Sequence, residues 1–253
     1  IEILDEHITN ITLKAIWTDT HIINVYGSFD YGDVSLPKVK IYMLAPFSNN
    51  CTINVASTTE SIEIYGNGRT YNMNIVIASR NKELSMQLDN ITLKSHTDSP
   101  AIQVLSNAIL NLYTHGSVRI YGMMKSDGSG SVAIKCSDLI IKSADKLLIF
   151  GGDGKNGGDG LNGENGGNAG AAVDGDVNIQ CNNITISAGK AGNGGNSTLI
   201  TDRVNIGLKG LGGSGAKAVI GRLITSTGVV NVVIIDSENG KDGEGNSYIT
   251  PGH

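Results

Sequence analysis

The sequence predicts an all-β chain: a parallel β-solenoid with Gly-rich, polyglycine-II-like helices in its C-terminal half. The alternative is a β-sandwich with Gly-rich loops. Three observations lead there. Short strands with period-two alternation recur, as in Ile62-Glu-Ile64, Val118-Arg-Ile120 and Val177-Asn-Ile179, and no long apolar stripe with a helical period of about 3.6 appears. The strand text repeats along the chain. Glycine returns at every third position in the second half.

Composition divides the 253 residues in two. Of the 34 Gly, 26 lie at or beyond residue 151, and that part holds a single aromatic residue, Tyr248. Residues 1–150 carry the other eleven aromatics and read as a strand region. Residues 151–253 read as β-rungs interleaved with glycine runs. The net charge of −5 and the absence of a Lys/Arg run argue against a nucleic-acid partner. Apolar stretches such as Leu147–Phe150 fall far short of the ~20 residues that a membrane-spanning helix needs.

The first repeat is apolar-x-[Ile/Val]-[Tyr/Phe]-Gly, at Ile23–Gly27, Ile62–Gly66, Val118–Gly122 and Leu147–Gly151. A second unit occurs at Val132–Ile141 and Val177–Ile186, and every inward position agrees in class. Stacked parallel rungs would bring such positions about 4.8 Å apart. The second unit also aligns Cys136 with Cys181. They are expected either as stacked buried thiols or as a pair within disulfide range.

Gly151, Gly154, Gly157, Gly160, Gly163 and Gly166 form one run; Gly189, Gly192 and Gly195 form another, and Gly207, Gly210 and Gly213 a third. A period of three matches polyproline II rather than helix or strand. Collagen shares that period but needs abundant proline, and this half has only Pro251. A bare glycine helix has no internal hydrogen bonds, so packing against neighbours must satisfy its main chain. These glycines are therefore assigned a structural role.

Two resemblances follow. Asp89-Asn-Ile-Thr-Leu93 with Ser99-Pro-Ala-Ile102 resembles the rungs of right-handed parallel β-helix surface proteins. The runs at 151–170, 189–195 and 207–213 resemble the Gly-rich receptor-binding adhesins at the tips of T-even-type phage tail fibres. These resemblances imply an extracellular, polysaccharide- or receptor-binding protein.

Motifs for chemistry are sparse. Gly152–Gly157 matches GxGxxG, but the Gly and Asn that follow cannot build the helix that a dinucleotide site requires. No GxSxG elbow occurs. The hexads around Asp153, Asp159 and Glu164 make these three the candidate calcium ligands; no other cofactor is indicated. Trp17, Tyr26, Phe29 and Tyr31 are candidate binding aromatics, since such rings stack on sugars or on partner proteins. The expected function is a non-catalytic structural or adhesive module at a cell or virion surface. It would self-associate, or bind a cell-surface receptor or glycan. The alternative is a polysaccharide-acting β-helix enzyme or an inactive relative, with Asp89, Asp98 and Asp138 as its candidate carboxylates.

Overall fold

A computed structural model describes residues 2–3, 10–11, 21–25, 30–34, 37–44, 51–78, 83–197 and 208–244. Among them lie eighteen strands and no helix. The strands are β1 (Glu2–Ile3), β2 (Asn10–Ile11), β3 (His21–Val25), β4 (Asp30–Val34), β5 (Lys38–Met43), β6 (Cys51–Val55), β7 (Ser61–Ile77), β8 (Leu84–Lys94) and β9 (Ile102–Val104). They continue with β10 (Ile109–His115), β11 (Ser117–Tyr121), β12 (Ile134–Ser143), β13 (Lys146–Phe150), β14 (Val173–Ile179), β15 (Ile184–Ser187), β16 (Val219–Ile220), β17 (Leu223–Thr225) and β18 (Val232–Ile235).

All pairings between these strands are parallel. The alternative, a β-sandwich with Gly-rich loops, is built from antiparallel sheets and does not fit this pairing. The expected solenoid is corrected too. β7, β8, β10, β12 and β9 pair in a closed ring, forming a five-strand parallel barrel flanked by outer strands. The closure has a local cause. β7 and β8 are 17 and 11 residues long and continue through a corner, so β7 pairs with four strands and β8 with three.

Period-two alternation puts one face of each strand inside. Val39, Ile62, Met86, Leu112, Ile141 and Ile179 follow one another in register as a buried column. Tyr71, Leu93, Ile120, Ile149 and Ile186 form a second. Tyr71 is completely buried, and its hydroxyl donates to the carbonyls of Met43 (3.2 Å) and Gly66 (3.1 Å). Asparagine makes several of the corners: Asn67, Asn90, Asn183 and Asn231 all have φ between 43° and 63°, a region that Asn tolerates better than other side chains. Gly116 (φ 64°) sits against the Asn90 corner, where an added Cβ would meet Asn90 Oδ1 at 2.1 Å.

The two repeats fared differently. Of the four copies of the first, Val118–Tyr121 and Leu147–Phe150 stack directly, residue on residue, whereas Ile62 aligns through Val39 with His21 rather than Ile23, and through Met86 with Leu112 rather than Val118. The second unit is out of register by seven. Leu139 and Ile141 pair with Val177 and Ile179, while Ile184 and Ile186 pair with Leu147 and Ile149. Cys136 therefore does not face Cys181, and no disulfide joins them.

Candidate functional site

Beyond β13 the chain leaves the sheet as glycine runs that bind one another. Residues 151–160 and 161–170 fold back as an antiparallel pair: the N–H groups of Glu164, Gly167 and Gly170 donate to the carbonyls of Gly158, Lys155 and Gly152 at 2.7–2.9 Å. Residues 189–197 run parallel to the first of these, with Gly154, Gly157 and Gly160 donating to Lys190, Asn193 and Asn196. Residues 208–216 run parallel to the second, with Gly163, Gly166 and Ala169 donating to Leu208, Leu211 and Ser214. The segment 189–197 also bonds 161–170, 208–216 and 237–244, and so has four neighbours. Donors recur at every third residue, as bare glycine allows.

The close approach leaves no space for side chains. A Cβ at Gly151, Gly154, Gly157, Gly163, Gly166, Gly189, Gly192, Gly195, Gly210 or Gly213 would stand within 2.1 Å of a carbonyl oxygen. Gly160 has more space, its nearest neighbour being Asn162 O at 3.3 Å. Gly207 lies outside the described residues.

A row of Asp and Asn completes the lattice. Oδ1 of Asp153, Asn156 and Asp159 accepts the main-chain N–H of Lys190, Asn193 and Asn196 at 2.7, 2.9 and 2.6 Å. Asn162, Asn165 and Asn168 do the same for Leu208, Leu211 and Ser214. Asn193 and Asn196 then accept from Lys241 and Glu244. The candidate calcium ligands are thus structural acceptors. Asp153 and Asp159 each hold a neighbouring run, and Glu164 accepts the N–H of Gly158 at 3.2 Å. Among the described residues no group of three His, Cys, Asp or Glu side chains is placed to hold a metal. Asp242 faces back instead: the N–H of Gly212 and then Lys209 Nζ hold its carboxyl below the usual range.

Where the runs leave the sheet, they wall a groove of about 1010 Å³. Its floor is the outward face of β7, β8, β11, β13, β15 and β18. In register across five of those strands stand Lys94, Tyr121, Phe150, Ser187 and Ile235, and β7 contributes Thr70. The rings of Tyr121 and Phe150 stack with centroids 5.1 Å apart and planes 13° apart, and Lys94 Nζ lies 5.9 Å from the Tyr121 centroid. Arg119 and Thr92 line the same end. The rest of the lining mixes main chain, apolar side chains such as Met123 and Ala191, and polar ones such as Asp153, Lys190 and Asn193, with 236–241.

Elsewhere, predicted residues scatter. Trp17, Tyr26 and Phe29 lie outside the described residues. Tyr31 belongs to β4, paired with Ile11 and Ile53. Asp89 bonds His115 Nδ1 at 3.1 Å, and Asp98 is bound by the hydroxyl and N–H of Ser126, which lower its pKa. Asp138 lies in β12, paired with Asp176 of β14. A second stacked pair, Tyr42 on Tyr65 (4.6 Å), lies beside Lys40 and Glu63. The groove rings were present in the sequence as the Tyr/Phe of the first repeat; Lys94, Ser187 and Ile235 carried no signal of their own. Among the described residues no helix is long and apolar enough to cross a membrane.

The chain matches no family model, no curated protein and no solved structure. The closed ring of parallel strands overturns the resemblance to β-helix surface proteins, and no relative supports the one to phage tail-fibre adhesins.

Proposed function

We propose that this protein is a non-catalytic adhesive module, displayed at a cell or virion surface, that holds a glycan in the groove beside the glycine lattice. The lattice, read as polyglycine-type helices packed side by side, serves as its stiff wall. The observation that carries this reading is the make-up of the groove. An aromatic and aliphatic floor in strand register lies beside main chain and polar side chains such as Asp153, Lys190 and Asn193, and sugars present the matching combination of C–H faces and hydroxyl edges. Asp153 and Asp236 of the groove are each engaged by a main-chain N–H, which favours binding over acid–base chemistry.

The test is a glycan-array screen of the purified protein, followed by titration of the hits against Phe150→Ala. Specific hits that lose about tenfold in affinity on losing the ring are expected. An array without hits would end the proposal.

Self-association is a second reading, favoured by the C-terminal strands. Leu223, Val233, Ile234 and Ile235 are 37–48% exposed on β17 and β18, and each of these strands pairs on one side only among the described residues. A second copy that extends the ladder would cover them. Light scattering across a concentration series distinguishes this assembly from a monomer.

A further inference from the structure

β15 differs from its neighbours on the groove face. β13 turns Leu148 and Phe150 outward and β18 turns Val233 and Ile235 outward, while β15 places Thr185 and Ser187 between them. In-register parallel strands stack side chains of like position, so two short residues between two bulky pairs leave a trench along β15. Its walls are two strand spacings apart, about 9.5 Å. A flat guest touching carbon on both sides at about 3.5–4.0 Å needs about 7–8 Å. One ring fits between the walls and two do not.

The trench also has a defined polarity. Tyr121 covers one face of Phe150, so the other face looks over Ser187 toward Ile235. The Ser187 hydroxyl donates to the carbonyl of Ala188 at 3.0 Å, which leaves its oxygen lone pairs to accept from a guest. Asp153 and Lys190 line the groove beside it. The Asp153 carboxylate gives Oδ1 to the Lys190 N–H, so its second oxygen is the one placed to accept from a sugar hydroxyl.

We infer that this trench is a subsite for a single pyranose ring, with one C–H face on Phe150, the other toward Ile235, and its hydroxyls on Ser187, Asp153 and Lys190. This rests on the glycan reading above and names the part of the groove that selects the sugar. The walls suit a saturated ring because they are apolar on both faces while the rim and floor offer acceptors and a cation.

The test compares wild type with Ser187→Phe and Ile235→Ala in calorimetric titrations of tetrasaccharides built from glucose, N-acetylglucosamine or glucuronic acid. Ser187→Phe extends the Tyr121–Phe150 stack into the trench, so its melting temperature is expected to equal or exceed that of wild type. Its affinity is expected to fall about tenfold or more, with Ile235→Ala several-fold weaker than wild type. Saturation-transfer NMR on the wild-type complex is expected to mark one ring of the tetrasaccharide above the rest. A folded Ser187→Phe that binds a tetrasaccharide as tightly as wild type overturns the subsite and leaves the glycan reading standing. Wild type that binds none of the tetrasaccharides overturns both.

Discussion

Oδ1 of Asn156 accepts the main-chain N–H of Asn193 at 2.9 Å, and Oδ1 of Asn193 in turn accepts the N–H of Lys241 at 2.8 Å. One residue type at one position of the triplet thus links three runs, 151–160, 189–197 and 237–244. An aspartate or asparagine suits this place because its oxygen is short enough to reach an adjacent main chain without leaving the row. Among the described residues the row ends at 237–244, where Lys241 and Glu244 follow Asn193 and Asn196.

Replacing Asn156 by Ala removes one acceptor from the row. The expected loss is about 0.5–1.5 kcal/mol, measured by urea denaturation, with faster hydrogen exchange at the Asn193 amide. Asn156→Asp keeps the acceptor, as Asp153 and Asp159 do, and is expected to restore that protection.

Gly192 and Gly160 share the triplet pattern but differ in surroundings. A Cβ on Gly192 would lie 1.9 Å from the carbonyl oxygen of Lys155, whereas at Gly160 the nearest atom is 3.3 Å away. Gly192→Ala is expected to cost about 3 kcal/mol or more through overpacking against main chain that cannot yield. Gly160→Ala is expected to stay within about 0.5 kcal/mol of wild type. Thermal melts of the two variants side by side check the contrast.

Thr114 continues the column of Ile41, Ile64 and Leu88, yet its buried hydroxyl has no hydrogen-bond partner among the described residues. Thr114→Val removes an unsatisfied polar atom at nearly constant volume. A gain of about 1 kcal/mol is expected in denaturant unfolding.

Burial, with smaller contributions from Asp138 and Asp174, pushes the Cys136 thiol up to about 12. Its neutral form is favoured in the folded protein, so its contribution is intact below the ordinary thiol value of 9.0 and is lost as pH rises from there toward 12. Stability is expected to fall across that window in wild type and less in Cys136→Ala. At neutral pH the thiol is expected to resist an aromatic disulfide reagent until the chain unfolds.

The all-β class and the glycine period were legible because each is written as a local period. Register was not. Val, Ile and Leu fill inward positions on almost every strand, so matching apolar classes aligned Val132–Ile141 with Val177–Ile186. The real partners, Leu139 with Val177 and Leu147 with Ile184, are fixed by the length of the whole excursion between one strand and the next above it, which the apolar classes do not encode. Closure of the five-strand ring depends on two strands that continue through corners at Asn67 and Asn90, which a period count passes over. Asp153 and Asp159 read as cation ligands because their oxygen atoms are visible in a sequence. The N–H groups they accept, 37 residues further on, are not. The trench at Ser187 exists only by contrast with Phe150 and Ile235, and that contrast requires the register.

Residue-resolved hydrogen–deuterium exchange of the native protein at neutral pH bears most directly on the glycine lattice. If the runs are bonded as described, the amides of Gly154, Gly157, Gly163, Gly166, Gly192 and Gly213 exchange orders of magnitude more slowly than unstructured peptide, in a pattern that repeats every third residue. Uniform exchange at the unstructured rate from 151 to 170 and from 189 to 197 would mean that the runs are loose loops, and the groove would then have no wall.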